Sequence, residues 1–186
     1  MADQGSEGLL SSFLRGWRKK AAVSFLKGKV LDVGCGNGHL ADQVTAELYL
    51  GVEKDEETRS LAEMNYPEHS FLAELPPAEP IYDSVAALAV LEHLPDPLHF
   101  LRQLVSRLSN DPQSRIILTT PHPWTDSMHK AGARIGLFSK EASLEHQDLL
   151  DYSSMNRIAS ECGLDIIHYR RFLLGANQLF ILKKSQ

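Results

Sequence analysis

The apolar positions of this chain fall into short blocks that switch between two periods. Lys29–Val33, Tyr49–Val52, His69–Leu72, Tyr82–Val90 and Arg115–Thr119 are compact apolar runs, the pattern of strands buried on both faces. Between them the spacing turns helical. His39–Leu48 reads as a helix. Asp55–Asn65 reads as another, with Asp55 as N-cap and Tyr66-Pro67 as its stop. Asp96-Pro97 opens a third, whose Phe100, Leu101, Leu104, Val105 and Leu108 share one face. Asp148–Cys162 is a fourth, halted by Gly163. Leu164–Phe172 and Gln178–Leu182 then read as two strands joined around Leu173–Asn177. Seven strands follow, with helices between the first five. The pattern predicts an α/β fold: a mostly parallel sheet with helices on both faces and an antiparallel pair at one edge.

The ends and the linkers carry less pattern. Residues 1–8 are polar and expected to be disordered. Residues 9–27 read as an N-terminal capping helix, with Leu10, Phe13, Leu14, Trp17 and Ala21 as its inward stripe and Arg15, Arg18, Lys19 and Lys20 as its polar positions. Such a basic amphipathic helix either packs on its own domain or lies on a membrane surface; the packed reading is favoured. Pro76–Pro80 is a linking loop. Residues 121–147 are the longest stretch without a period and hold Trp124, His129, Arg134, Phe138 and His146. A stretch of that kind inside a compact domain is usually functional.

Composition narrows the options. A chain of 186 residues, 43% hydrophobic and 23% charged, is expected to form one soluble domain over 1–186. A net charge of −5 argues against a nucleic-acid partner, which asks for a basic surface. Two cysteines, Cys35 and Cys162, make neither a disulfide framework nor a zinc pattern and suit a reducing compartment. No apolar run approaches the ~20 residues that span a bilayer, and the expected location is cytoplasmic.

The candidate chemistry sits in Val30-Leu31-Asp32-Val33-Gly34-Cys35-Gly36-Asn37-Gly38. Glycines at alternate positions follow a strand that ends in an acid. Glycine allows a tight turn and lets a ligand approach with no Cβ in the way. Glu53 ends the next strand, 21 positions after Asp32, where a carboxylate can accept both hydroxyl protons of a ribose. The dinucleotide fingerprint is G-x-G-x-x-G; here the spacing is G-x-G-x-G, which disfavours a nicotinamide-dependent oxidoreductase.

The segment LDVGCGNG resembles motif I of the class I S-adenosylmethionine (SAM)-dependent methyltransferases. Leu91-Glu92-His93-Leu94-Pro95-Asp96-Pro97 resembles the post-strand motif of their small-molecule members, similar to the methyltransferase 11 and 23 groups and the ubiquinone-pathway O-methyltransferases. The resemblance covers roughly residues 30–180 and implies a Rossmann-like sheet, SAM as cofactor and S-adenosylhomocysteine (SAH) as product. It implies cofactor contacts from Asp32, Gly34, Cys35, Gly36, Glu53, Lys54, Leu72, Glu74, Ala87 and Leu88. Glu74 would take the adenine amino group, and Lys54 and Leu72 would flank the ring. Ala87 and Leu88 would lie by the methionine part. The N-terminal helix and the 121–147 stretch would form the substrate pocket.

The implied reaction is methyl transfer to a small-molecule acceptor, at oxygen, with His93, His122 and His146 as candidate general bases. The ubiquinone-pathway members read Glu-x-x-Glu-His, which can bind a divalent metal. Here the first of those positions is Ala89, leaving Glu92 and His93, so no metal is expected. Two rivals share the cofactor: a SAM- or SAH-binding protein without turnover, and a methyltransferase acting on a lipid or a protein. The acceptor, the oligomeric state and the pathway have no motif to carry them.

Overall fold

The computed structural model describes residues 4–124 and 150–185, with side chains from Phe13 onward. Among them are strands β1 (Val30–Val33), β2 (Tyr49–Val52), β3 (Ser70–Leu72), β4 (Ser84–Leu88), β5 (Arg115–Pro121), β6 (Leu164–Phe172) and β7 (Asn177–Lys184). The helices are α1 (Gln4–Ala22), α2 (Glu56–Asn65), α3 (Pro97–Val105) and α4 (Tyr152–Glu161). The strands form one sheet in the order β3-β2-β1-β4-β5-β7-β6. The first five are parallel, and β7 runs antiparallel between β5 and β6. This is the expected architecture. The strand order reverses direction at β1, which makes the carboxyl ends of β1 and β4 the place where an open sheet of this kind leaves a crevice.

Local signals explain most boundaries. Asp55, Asp96 and Asp151 each accept a hydrogen bond from a backbone N–H three residues on, at 2.8, 2.8 and 2.7 Å, and so cap α2, α3 and α4. Ala89 ends β4 with φ 59°, a left-handed turn outside glycine's usual territory.

Two expectations about helices fail. His39–Leu48 is not a helix: it folds as two short 3₁₀ turns, Ala41–Gln43 and Ala46–Leu48. Val44 and Thr45 between them are extended, and two adjacent β-branched residues favour that state. No helix links β3 to β4 either, so only α2 and α3 fill connections between the parallel strands. At the other end, α1 starts at Gln4, inside the segment expected to be disordered. Residues 4–8 contain no proline, and adding turns to an existing helix is cheap.

The core has two halves, one on each face of the sheet. Alternation along β1 sends Leu31 and Val33 to the face covered by α3 and α4, where Leu101, Leu104, Met155 and Phe180 pack. Val30 goes to the α1 face, with Ala21, Ala22, Leu40, Tyr49 and Ala86. Asp32 shares that second face and is 3% exposed. The α1 stripe is rotated from its expected position. Ala21 is buried, but Phe13 and Trp17 are 54% and 41% exposed. They stack on each other edge to face, with Lys20 over the Trp17 ring.

Phe180 is wholly buried between Tyr152 and Tyr169. Phe180→Ala should therefore lower the unfolding free energy by about 3–5 kcal/mol in urea denaturation. Met64→Ala, at a position 77% exposed, should stay within about 0.5 kcal/mol of the parent.

Candidate active site

The loop after β1 is held by the strand beside it. The amide groups of Gly34 and Cys35 both donate to Val52 O, at 2.8 and 3.1 Å. The Gly36 amide donates to Glu53 Oε2 at 3.0 Å, and the Gly38 amide to Cys35 O at 3.1 Å. None of these four donors is left for a ligand. These four amides therefore serve the loop's own shape, and the glycines offer a ligand close approach. Gly36, at φ 57°, has nothing within 4 Å of where a Cβ would stand. Gly34, at φ 69°, is different: a Cβ there would lie 2.6 Å from Val90 Cγ2.

Two cavities meet at Gly34. The first lies under α1 and is lined by Asp32, Gly34, Cys35, Gly36, His39, Leu40 and Leu88, with Arg15, Arg18 and Lys19 from α1. The second is an open cleft on the α3 side. Glu53, Lys54, Ala73 and Glu74 form one wall, and Val90, Phe100 and Gln103 the other. An elongated ligand crossing the sheet's carboxyl edge at Gly34 would occupy both.

Each acid serves one cavity. Glu53 accepts from the amides of Gly36 and Asp55, both at 3.0 Å, and its own backbone is held by Leu72 O and Arg59. A carboxylate has about four lone-pair sites, so two remain. Asp32 accepts one hydrogen bond, from the Tyr49 hydroxyl to Oδ2 at 2.8 Å. Burial pushes its pKa up to about 7; the Tyr49 bond opposes the rise and Glu53 adds to it. Burial, then Asp32 and Glu53, also raise the Cys35 thiol, which stays protonated and unreactive.

Most of the expected residues come together: Asp32, Gly34, Cys35, Gly36 and Leu88 at the first cavity, and Gly34, Glu53, Lys54 and Glu74 at the second. Two do not. Ala87 is fully buried and packs in the core on the α3 face, because alternation along β4 gives the cavity to Leu88. Leu72 reaches neither cavity with its side chain; its carbonyl holds the Glu53 amide. Among the histidines, His93 is exposed. His122 follows β5's end, and its Nδ1 accepts from the Trp124 amide at 3.2 Å. That bond places the neutral ring's proton on Nε2. Burial and then Arg171 lower the His122 pKa, which keeps the ring neutral near pH 7. His146 and most of the 121–147 stretch lie outside the described residues.

The sequence reading missed the cavity's basic wall. Arg15, Arg18 and Lys19 are spaced like any solvated helix face, and only the sheet's position shows that they point inward. It also missed Glu92 as an inward group. Its Oε2 is buried with no hydrogen-bond partner among the described residues. Burial raises its pKa, against its own backbone amide, Arg18 and His93.

A family model described as a methyltransferase domain matches residues 9–169, and the chain belongs to that family, the class I SAM-dependent methyltransferases. A Mycolicibacterium smegmatis protein named Probable S-adenosylmethionine-dependent methyltransferase is 34% identical over 104 residues, 53% of this chain and 40% of its own length. The ubiquinone biosynthesis O-methyltransferase of Pectobacterium carotovorum is 33% identical over 93 residues, 44% of this chain and 39% of its own. The matches thus span about two-fifths of these curated relatives. The methyltransferase in a Haloferax volcanii complex with the Trm112 methyltransferase activator superposes with a TM-score of 0.73 at 14% identity, over 98% of this chain and 95% of its own. Among the described residues no helix is long and apolar enough to cross a membrane.

Gly34 and Gly36 separate two uses of glycine. Gly36→Ala should cost about 1–2 kcal/mol of stability, the strain of a left-handed alanine. Gly34→Ala adds the clash with Val90 and should cost a further 1 kcal/mol or so, of which Val90→Ala restores a part. Urea denaturation of Gly36→Ala, Gly34→Ala, Val90→Ala and the Gly34→Ala/Val90→Ala double variant checks the ranking; equal losses at the two glycines would mean that Val90 moves aside freely.

Proposed function

We propose that this chain is a SAM-dependent methyltransferase that methylates a small-molecule acceptor at oxygen. The observation that carries the reading is the pair Asp32 and Glu53, which end neighbouring parallel strands on either side of Gly34 and face different cavities. The residues fit the cofactor's chemistry end by end. Glu53 takes the ribose hydroxyls on its two remaining lone-pair sites. Asp32 takes the ammonium group. No helix follows the glycine loop, so no helix N-terminus meets the ligand's carboxylate; Arg15 and Arg18 of α1 supply that charge instead. Lys54, Ala73 and Val90 enclose the adenine, with Glu74 accepting from its amino group.

SAM supplies a methyl group already activated on a sulfonium, so the chain's task is to orient and to exclude water. Leu88 and Leu40 make the apolar wall beside the reacting end. His122 in its Nε2–H form orients an acceptor oxygen by donation, and the roles of His93 and His146 as bases stay with this proposal. Transfer at oxygen is supported by the partial match to ubiquinone O-methyltransferases. No metal is required by the reading.

Titration calorimetry of SAH into the wild type and Glu53→Ala tests the cofactor site. Loss of a charge-assisted pair of ribose bonds should cost about 1.5–3 kcal/mol, roughly ten- to a hundredfold in affinity. No wild-type binding up to about a millimolar would sink the reading. Incubation with SAM and a panel of hydroxyl, amine and thiol compounds then tests the acceptor atom; methylation of amines or thiols alone would move the reaction off oxygen.

The exposed Phe13–Trp17 pair beside Lys20 favours one second reading, an acceptor carried on a lipid surface. Co-sedimentation with anionic vesicles that Trp17→Ala abolishes would support it.

A further inference from the structure

Tyr49 opens β2, and its phenol reaches across to β1. It is 3% exposed, and its ring is wedged edge-on between His69 and Phe71, with centroids at 5.4 and 5.9 Å. His69 is itself fixed by a bond to Val44 O at 3.0 Å. The Tyr49 hydroxyl donates to Asp32 Oδ2 at 2.8 Å and also lies beside the Cys35 thiol, while Oδ1 of that carboxylate makes no hydrogen bond to the described residues. Asp32 is the acid that lines the cavity under α1.

We propose that Tyr49 is a positioning residue for the cofactor's amino-acid end: its hydroxyl fixes Asp32 through Oδ2 so that Oδ1 is presented to the ligand's ammonium group. This rests on the SAM-binding reading above. The consequence is a proton linked to binding. An ammonium group needs Asp32 ionised, whereas burial keeps that carboxyl partly protonated near neutral pH. The Tyr49 bond favours the ionised form, so it tunes the pH at which the site becomes competent.

The other charged groups around Asp32 do not supply the same step. From the loop, Cys35 stays a thiol. From the end of β2, Glu53 adds a negative charge that opposes ionisation. From α1, Arg15 and Arg18 line the same cavity as guanidinium groups, and Lys19 is bonded to Asp42 at 2.6 Å. His39 is lowered by burial, then by Arg15 and Lys19, and is neutral where Asp32 titrates. The strand on the other side, β4, presents Ala86 opposite Asp32.

The test compares SAH with 5′-methylthioadenosine, which keeps the adenosine and sulfur but lacks the amino-acid end. Calorimetry from pH 6 to 8.5 is run on the wild type, Tyr49→Phe and Asp32→Asn. For the wild type, SAH affinity should rise up to about tenfold per pH unit and flatten above about pH 7, with methylthioadenosine flat throughout. Tyr49→Phe should weaken SAH about tenfold at pH 7, move the break upward, and leave methylthioadenosine within about twofold. Asp32→Asn should remove the pH dependence, and adding Tyr49→Phe to it should change SAH binding little. Uniform incorporation of 3-fluorotyrosine, a stronger donor of the same shape, should move the break down, and this arm does not depend on the phenylalanine variant folding.

Equal losses for both ligands in Tyr49→Phe, or a break that neither variant nor fluorination moves, would overturn the proposal. Methylthioadenosine binding with no gain for SAH would overturn it while leaving the adenosine site standing. Failure of both ligands to bind the wild type would overturn the cofactor reading and this inference together.

Discussion

The turn between β1 and the first 3₁₀ segment is stable because its amide hydrogens are spent on the neighbouring strand. Val52 O takes two of them and Glu53 a third. The latch ties the shape of the loop to the position of β2, and β2 is tied to β1 in a four-residue parallel register that sets Asp32 opposite Gly51. One side chain thus does two jobs. Glu53 closes the turn through Gly36 and faces the cleft on the α3 side with the rest of its acceptor capacity. The arrangement commits four of the loop's amide hydrogens, those of Gly34, Cys35, Gly36 and Gly38, to the protein itself.

The orientation of α1 differs from the one its hydrophobic stripe predicts. A helix scored by hydrophobicity alone turns Phe13 and Trp17 inward. In the structure the face toward the sheet carries Arg18, Ala21 and Ala22, with Arg18 donating to Asn177 at 3.1 Å. Beneath α1 lies the cavity that Asp32, Leu40 and Leu88 line, and Arg15, Arg18 and Lys19 of the helix share its wall. The two aromatics pair with each other on the outside.

The same contrast decides what could be read from the chain. The parallel strands, the capped helices and the glycine turn were legible because each depends on residues near in sequence: a β-branched run, an Asp before a helix, a glycine where φ is positive. The stretch 39–48 was misread because its apolar spacing fits a helix equally well, and the choice falls to Val44 and Thr45. Ala87 and Leu72 were placed in the site by motif position, yet alternation along β4 and the use of Leu72's carbonyl keep their side chains out. The roles of Arg18 and Glu92 depend on contacts more than seventy positions away, which no local pattern records.

Glu92 shows how far that limit reaches. The left-handed Ala89 turns the chain after β4 so that the next residues fold back toward β5, and of the Glu92–His93 pair the carboxylate goes inward and the imidazole stays outside. A motif match cannot distinguish these two neighbours, because both stand in the same turn. Backbone geometry can. The buried Oε2 and the raised pKa follow from the direction of one peptide turn. The glycine turn and the acids beside it are therefore encoded by short-range constraints. How α1, the turn after β4 and the end of β5 converge is a property of the packed molecule.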